Sequence, residues 1–330
     1  MKRMLRLGFV ILGIMVIIPV FAIVFFREYL PPAGSDFAQS AAVNLDPPEK
    51  IAAPEIAYTA PPVVRLKSGE IIPMRDYVIG SVFAEMNADF PPEALKAEAL
   101  AVFTCIVRET VKHRNDSFDI ADDFYIGYFT EGLARAFYTD GYETAYAKIS
   151  TAVDEIMGSV IVFEDEPIAA PSFDCFTGKT EAAADVPYLT SVPSSGDVYS
   201  PFYQTSESFT AAEISARLST EAGITLGGDP TDYFEIIDIT PAGTILTLRA
   251  GNSVISGEMF TEILNLRSPA FVIHYDNNTE RIVITSIGNG DGIGLSKYGA
   301  KFMAENGSDY KEIILHYFHG VRIDKILIEY

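Results

Sequence analysis

The sequence predicts an α+β fold, in which helices and β-hairpins are mixed without the regular strand–helix–strand rhythm of a parallel sheet. Two observations support this class. Several segments carry apolar residues at three- and four-residue steps, as on one buried helix face, and short alternating runs are paired across turn residues such as Asn277-Asn278. We expect these elements to form a two-lobed domain with a cleft, behind an N-terminal transmembrane helix.

The N-terminus predicts a membrane anchor. Lys2, Arg3 and Arg6 precede 19 uncharged residues, 8–26, a length that just spans a bilayer core as a helix. A cleaved signal peptide is the alternative, but the apolar run is long for one and no convincing cleavage site follows. The basic residues predict a cytoplasmic N-terminus, with the bulk of the chain outside the cell membrane. The resulting division is a cytoplasmic tail (1–7), an anchor (8–26), a Pro-rich stalk (27–62) and a domain (63–330).

The chain beyond the anchor is strongly acidic. All 45 Asp and Glu follow residue 26, against 21 Lys and Arg. Nucleic acid would be repelled by such a charge, so we exclude it as a partner. The two cysteines, Cys105 and Cys175, do not make a disulfide scaffold. In an exported domain they could pair, but two buried small apolar side chains are the favoured interpretation.

The first predicted helices set one carboxylate apart. A helix over 75–84 leads to Glu85, and Pro91 and Pro92 then begin a long amphipathic helix that ends near His113. The predicted buried face of the long helix consists of Leu95, Ala99, Val102, Phe103, Ile106 and Thr110. From the residues alone, Glu85 is either an ordinary surface carboxylate or a functional acid.

The remaining elements follow from turn and capping signals. They are a hairpin of Val63–Leu66 with Ile71–Met74, a mostly helical segment 114–157, a hairpin of Val160–Phe163 with Ile168–Ala170 turning at Asp165-Glu166, a capped helix from Thr210 to about Leu218, strands Glu235–Thr240 and Ile245–Ala250, a hairpin of Phe271–Tyr275 with Arg281–Ser286, and helices at about 297–306 and 309–318.

Two further patterns have more than one interpretation. The Gly-rich loop at 288–294 is spaced neither as GxGxxG nor as a Walker loop, so it predicts close backbone approach to a sugar chain or to the opposite wall of the cleft, and not nucleotide binding. His316 and His319 have a spacing that can ligate a metal ion. No Cys or carboxylate cluster accompanies them, which favours capping or packing roles.

Three segments, taken in order, carry a resemblance to a known family. The first, 77–108, contains Ala-Glu-Met at Glu85 and a proline-bounded Glu-Ala-Leu-Lys-Ala helix. The last, 288–320, contains the Gly-rich loop, Ser-x-Tyr-Gly-Ala and a closing His-Tyr-aromatic-x-Gly turn. A weaker match begins with Gly-Lys-Thr-Glu at 178–181. In these features the chain resembles the stage II sporulation protein D family of peptidoglycan lytic transglycosylases, over most of 63–330.

The resemblance implies that Glu85 is a catalytic acid, and we expect apolar surface near it from Phe83, Met86 and Phe90. A lytic transglycosylase protonates the MurNAc-GlcNAc oxygen while the muramic acid C6 hydroxyl attacks C1, giving a 1,6-anhydro ring without a second carboxylate. The implied context is sporulation, engulfment or cell-wall remodelling, on peptide-stripped glycan and beside a peptidoglycan amidase and other membrane proteins. No cofactor or metal is expected. The implied substrate-binding residues are Asp89, Asp291, Ser296, Tyr298, Lys179 and Thr180.

The chain also departs from the family pattern. Asp291 stands where the family has a His, Asn289 where an aromatic residue is common, and 173–178 where a His-Ser-Ser-Ser-Gly-Gly run is usual. Residues 114–157 contain neither Cys nor His, so the zinc site of some relatives is not predicted. Ser296 and Tyr298 can equally be a helix N-cap and a packed ring. An active enzyme, a catalytically degenerate glycan-binding or amidase-partner protein, and a purely structural exported domain all remain open.

Overall fold

The computed structural model describes residues 59–60, 63–66, 69–112 and 126–328. The predicted anchor at 8–26 lies outside these residues, and within them no helix is both long and apolar enough to cross a membrane. The mixture of helices and small sheets confirms the α+β class. The helices are α1 (Met74–Glu85), α2 (Pro92–Lys112), α3 (Glu131–Tyr138), α4 (Tyr142–Ile156), α5 (Ala211–Ala222), α6 (Gly257–Leu264), α7 (Lys297–Glu305) and α8 (Tyr310–Tyr317).

The strands are short and form several separate sheets. They are β1 (Thr59–Ala60), β2 (Val63–Arg65), β3 (Ile71–Pro73), β4 (Ser159–Phe163), β5 (Glu166–Pro167), β6 (Ser172–Phe173), β7 (Gln204–Phe209), β8 (Phe234–Ile239), β9 (Ile245–Ala250), β10 (Ser253–Ser256), β11 (Phe271–Asp276), β12 (Arg281–Ile287), β13 (Leu295–Ser296), β14 (Arg322–Lys325) and β15 (Leu327–Ile328). The three-stranded sheets have the orders β10-β9-β8, β11-β12-β7 and β14-β4-β5. Two parallel pairs, β13-β6 and β1-β15, join segments distant in sequence.

The long helix α2 is the centre of the larger hydrophobic core. It packs against α1, α4, α7, α8 and β4. Leu95, Leu100, Phe103 and Ile106 on this helix are completely buried. Burial of such side chains stabilises a fold by about 1.5–3 kcal/mol each. This core therefore fixes α1, which carries Glu85, and α7, which begins at Lys297, against one common helix.

A second core lies in the middle of the chain. It joins the sheets β10-β9-β8 and β11-β12-β7 to α5 and α6. Phe260, Leu248 and Ile284 are fully buried in it. Alternation along β12, with Ile282 and Ile284 inward, explains why the hairpin β11-β12 was predictable. A third, small cluster consists of Phe173, Phe176, Ala242 and Ala270. A cleft between two lobes stays a prediction.

The predicted hairpin after α4 is wrong in its second strand. Val162 and Phe163 pair with Pro167 and Glu166, so β5 is Glu166–Pro167 and the predicted strand at 168–170 is not formed. The turn is Glu164-Asp165, not Asp165-Glu166, and both turn residues have positive φ, 48° and 67°. That conformation is typical of the two-residue hairpin turn whose twist matches that of the strands. The turn, and with it the strand pairing, therefore begins one residue earlier than predicted.

Candidate active site

Glu85 is the last residue of α1 and is held by two donors. Its side chain is 20% exposed. The backbone N–H of Gly127 donates to Oε1 over 2.6 Å, and Lys297 Nζ lies 2.5 Å from Oε2. The chain becomes extended at Met86, which ends the helix. Because both oxygens accept hydrogen bonds, the arrangement is that of an ionised carboxylate.

The predicted apolar neighbours of Glu85 have another role. Phe83, Met86 and Phe90 are all buried in the larger core. Phe83 stacks on Tyr142 and meets the ring of Tyr138 edge-on. These residues fix the end of α1 instead of lining the cavity in front of Glu85.

A cavity of about 460 Å³ lies in front of Glu85. Its apolar wall comes from Val102, Ile126 and the segment 169–171. The polar and ionisable residues that line it are Glu85, Glu98, Cys105, Arg108, Glu109, Ser172 and Asp291. A mostly apolar pocket with a few convergent polar groups is the usual form of a ligand site.

Lys297 is a buried cation shared by several carboxylates. It is 6% exposed, and besides Glu85 its Nζ lies 3.7 Å from Asp174 Oδ1. Burial works against the charge, but the carboxylates of Glu98, Glu85 and Asp174 outweigh it and raise the pKa of Lys297. The ammonium therefore keeps its positive charge beside the Glu85 carboxylate.

Glu98, one helical turn along from Leu95 on α2, is a buried carboxyl in the same cavity. It is 1% exposed, and Ser172 Oγ donates to Oε1 over 2.8 Å. Burial raises its pKa to about 7, and the ammonium of Lys297 opposes that shift. Glu98 and Lys297 were not among the predicted site residues.

The Gly-rich loop contacts the protein's own backbone. A Cβ on Gly294 would lie 2.2 Å from the carbonyl oxygen of Pro171, and one on Gly292 would lie 2.6 Å from the ring of Phe176. Gly294 also has φ +91°, a conformation that favours glycine. Of the two predicted uses of this loop, the structure shows close approach to the segment 171–176, which forms part of the cavity wall.

Asp197 joins three segments of the chain, those of Phe176, Ser194 and Ser296, through one buried carboxylate. Its Oδ1 accepts from Ser194 Oγ at 2.7 Å and from Ser296 Oγ at 2.5 Å, and its Oδ2 accepts from the N–H of Phe176 at 3.0 Å. Tyr317 Oη lies 3.0 Å from Ser194 Oγ. Burial raises the pKa of Asp197, while these hydrogen bonds lower it. The network fixes the start of α7, and hence Lys297.

Of the six predicted substrate-binding residues, Asp291 is the one that lines the cavity. Asp291 is exposed at the cavity, and its Oδ1 accepts from the N–H of Ile293. Asp89 is exposed in the turn between α1 and α2. Tyr298 is half-buried, its ring edge-on to Phe90 with 5.2 Å between centroids.

The other three predicted residues, like Asp89 and Tyr298, are not among the residues that line the cavity. Ser296 is fully buried, where it caps α7 by accepting from the N–H of Gly299. Thr180 is buried, with its hydroxyl bonded to the backbone of Thr190 and Val192. Lys179 forms an isolated bridge with Pro193. Contact of any of these six residues with substrate stays a prediction.

The two cysteines are unpaired thiols, and His316 and His319 are hydrogen-bonded to backbone carbonyl groups. Cys105 and Cys175 are both free, and burial raises the pKa of each thiol to about 11. His316 Nε2 is 2.7 Å from the carbonyl oxygen of Pro193, and the N–H of His319 donates to Tyr188. Over the described ranges, no group of three or more His, Cys, Asp or Glu side chains is arranged to hold a metal ion.

Comparison with known proteins places this chain among sporulation proteins. The family described as "Stage II sporulation protein" matches residues 64–163, which include Glu85, Glu98 and the whole of α2. The Stage II sporulation protein D of Bacillus subtilis is 32% identical over 96% of this chain and 94% of that protein. The protein of that name from Bacillus amyloliquefaciens is 35% identical over 78% of this chain and 76% of its own. The chain therefore belongs to the Stage II sporulation protein D family.

Proposed function

We propose that this protein is a membrane-anchored lytic transglycosylase that cleaves the MurNAc-GlcNAc bond of peptide-stripped peptidoglycan strands. The observation that carries the proposal is the position of Glu85: a carboxylate at the end of a fixed helix, in the wall of a cavity of about 460 Å³. The reaction needs one carboxyl that acts first as acid and then as base, because the sugar's own C6 hydroxyl is the nucleophile.

Each role falls to a named group. Glu85, once protonated, donates to the glycosidic oxygen and then accepts the proton of the C6 hydroxyl. Lys297, 2.5 Å from Oε2, stabilises the carboxylate that is present between these two steps. The N–H of Gly127 fixes the orientation of the carboxyl through Oε1. Apolar residues such as Val102 and Ile126 keep water away from the reacting atoms.

The proposed setting is outside the cell membrane, behind the anchor at 8–26, during engulfment or cell-wall remodelling. A peptidoglycan amidase that removes stem peptides would supply the substrate, since a strand without peptides enters a narrow cavity more easily. No metal or organic cofactor has a part in the proposed chemistry.

The test uses the full chain and peptide-stripped glycan strands, with products resolved by mass spectrometry. The wild-type protein is expected to generate 1,6-anhydro-muramic ends, and Glu85→Gln to reduce their formation at least about a thousandfold. Glu258→Gln, on the exposed face of α6, is the matched control and should retain activity. Anhydro ends formed equally by Glu85→Gln and the wild type would exclude Glu85 as the acid.

One observation favours a second candidate, a glycan-binding or amidase-partner protein without catalysis. Glu85 is already paired with Lys297, and Asp291 lines the cavity at the position where the family resemblance leads us to expect a His. In this case neither the wild type nor Glu85→Gln forms anhydro ends, while both bind glycan with equal affinity.

A further inference from the structure

Glu98 has the surroundings of a carboxylic acid that keeps its proton. It is 1% exposed, Oε1 accepts from Ser172 Oγ, and Oε2 is a buried oxygen without a hydrogen-bond partner among the described residues. Burying an ionised carboxylate with an unpartnered oxygen has a large desolvation cost in free energy, whereas burying a neutral carboxyl has a much smaller one. Glu98 lines the same cavity as Glu85, and the free oxygen therefore belongs to the candidate site.

Burial and the neighbouring charges together give Glu98 a pKa near neutral pH. Burial raises its pKa to about 7; the ammonium of Lys297 lowers it, and the carboxylates of Glu85 and Asp174 raise it. The other titratable groups of the cavity wall are Cys105, Arg108, Glu109 and Asp291. At slightly acidic pH Glu98 thus keeps its proton, while both oxygens of Glu85 accept hydrogen bonds, from Gly127 and from Lys297.

The Glu85 carboxylate, as the structure has it, cannot act as an acid. Both of its oxygens accept hydrogen bonds, from Gly127 and from Lys297. A proton must reach Glu85 before it can donate to a glycosidic oxygen, and Glu98, in the same cavity, holds one.

We propose that Glu98 supplies the proton of Glu85, and that Lys297 stabilises whichever of the two carboxylates is ionised. The inference rests on the proposed function. Before transfer, Glu98 is neutral and Glu85 is an anion; after it, Glu98 is the anion and Glu85 is neutral. Lys297 remains an ammonium throughout, so the net charge of the three groups is unchanged. Glu98 acts through Glu85 and is a positioning residue, not a group that contacts the glycan.

The first arm of the test does not need activity. Infrared difference spectra of the full chain should show the carbonyl band of a protonated carboxylic acid that titrates at about pH 7, the value that burial gives Glu98. Glu98→Gln should lack this band, and Glu109→Gln, on the same helix and cavity wall, should retain it.

A second variant tests the role of the ammonium. Lys297→Gln removes the cation that lowers the pKa of Glu98, so the band should titrate at least about one pH unit higher. Circular dichroism establishes that each variant is folded. Persistence of the band in Glu98→Gln, or an unchanged midpoint in Lys297→Gln, would overturn the proposal whatever the activity.

The second arm measures formation of anhydro ends against pH. In the wild type, activity should fall above about pH 7, as Glu98 loses its proton, and Glu98→Gln should lower kcat at least about tenfold and abolish this limb. An unchanged profile in Glu98→Gln would overturn the proposal while leaving the proposed function intact. If the wild type forms no anhydro ends, the proposed function fails and the proton-supply step fails with it, although the infrared arm still establishes whether Glu98 and Lys297 are coupled.

Discussion

The backbone N–H of Gly127 donates to Glu85 Oε1 over 2.6 Å, and a Cβ at position 127 would lie only 2.8 Å from the same oxygen. We therefore expect Gly127→Ala to displace the carboxylate and to lower the rate of anhydro-end formation about ten- to a hundredfold, because small misplacements of a catalytic group are costly. Gly132→Ala is the control, since its Cβ meets only Thr130 Oγ1 at 3.9 Å. Equal rates for the two variants would show that the Gly127 contact does not position Glu85.

The pH dependence of stability should carry a contribution from Glu98. Its pKa is raised from 4.5 to about 7 in the folded protein, so the folded state binds the proton more tightly than the unfolded state. The stabilisation is complete below about pH 4.5 and is lost as pH rises through about 7, roughly 3 kcal/mol in all. Urea unfolding across this range should show the loss in the wild type but not in Glu98→Gln. If the free energy of unfolding depended on pH in the same way in both proteins, Glu98 would not make this contribution.

The buried carboxylate of Asp197 should matter for stability. Asp197→Ala leaves the hydroxyls of Ser194 and Ser296 and the N–H of Phe176 without their acceptor. We expect a loss of about 3–5 kcal/mol in the free energy of unfolding, because several buried donors become unsatisfied. The exposed Asp185→Ala should change it by less than about 0.5 kcal/mol. A small effect at Asp197 would mean that the network relaxes onto other acceptors.

Two glycines with similar backbone conformations separate the effect of φ from that of close contact. Gly294 has φ +91° and Gly307 has φ +96°, but a Cβ at Gly294 would be 2.2 Å from the Pro171 oxygen, and one at Gly307 meets nothing within 4 Å. Gly307→Ala should lower the free energy of unfolding by about 1 kcal/mol, and Gly294→Ala should lower it by at least about 2 kcal/mol more. Chemical denaturation of both variants measures the difference. Equal losses would argue that the loop moves away from Pro171 at little cost.

The thiols should be slow to react. Burial raises the pKa of Cys105 and Cys175 to about 11, so the reactive thiolate is rare near neutral pH. With iodoacetamide at about pH 8, we expect little alkylation of the native protein and two modified cysteines after denaturation. Mass spectrometry counts the adducts. Rapid labelling of Cys105, which lines the cavity, would show that solvent reaches it more freely than its burial indicates.

Much of the fold could be predicted because its signals are local. The two prolines at the start of α2 and the alternation along β12 identify those elements without knowledge of their partners. The strand β7 could not be identified in this way. Its sequence, Gln-Thr-Ser-Glu-Ser-Phe, has almost no apolar alternation, and it pairs with β12 more than 70 residues later. Strands of this kind depend on their partners, not on their own periodicity.

The site was only partly predictable. Glu85 was assigned through the resemblance of its Ala-Glu-Met segment to a known family, because the residues alone left an ordinary surface carboxylate equally open. Glu98 has a signal that could have been used: it lies three residues after Leu95 and four before Val102, on the buried face of α2. A charged residue at such a position is unusual and often functional. Lys297 carries no comparable signal, because its partner Glu85 is brought near by packing alone.

The ion pair between Glu85 and Lys297 joins residues 212 positions apart in the chain. Glu85 is thus synthesised long before Lys297, which places an ammonium beside it. Helices α1 and α2 can form early, but the paired carboxylate cannot exist until α7 has been made and has packed against α2. Any activity that depends on this pair would be withheld from the nascent chain and would begin only when its last helices are in place.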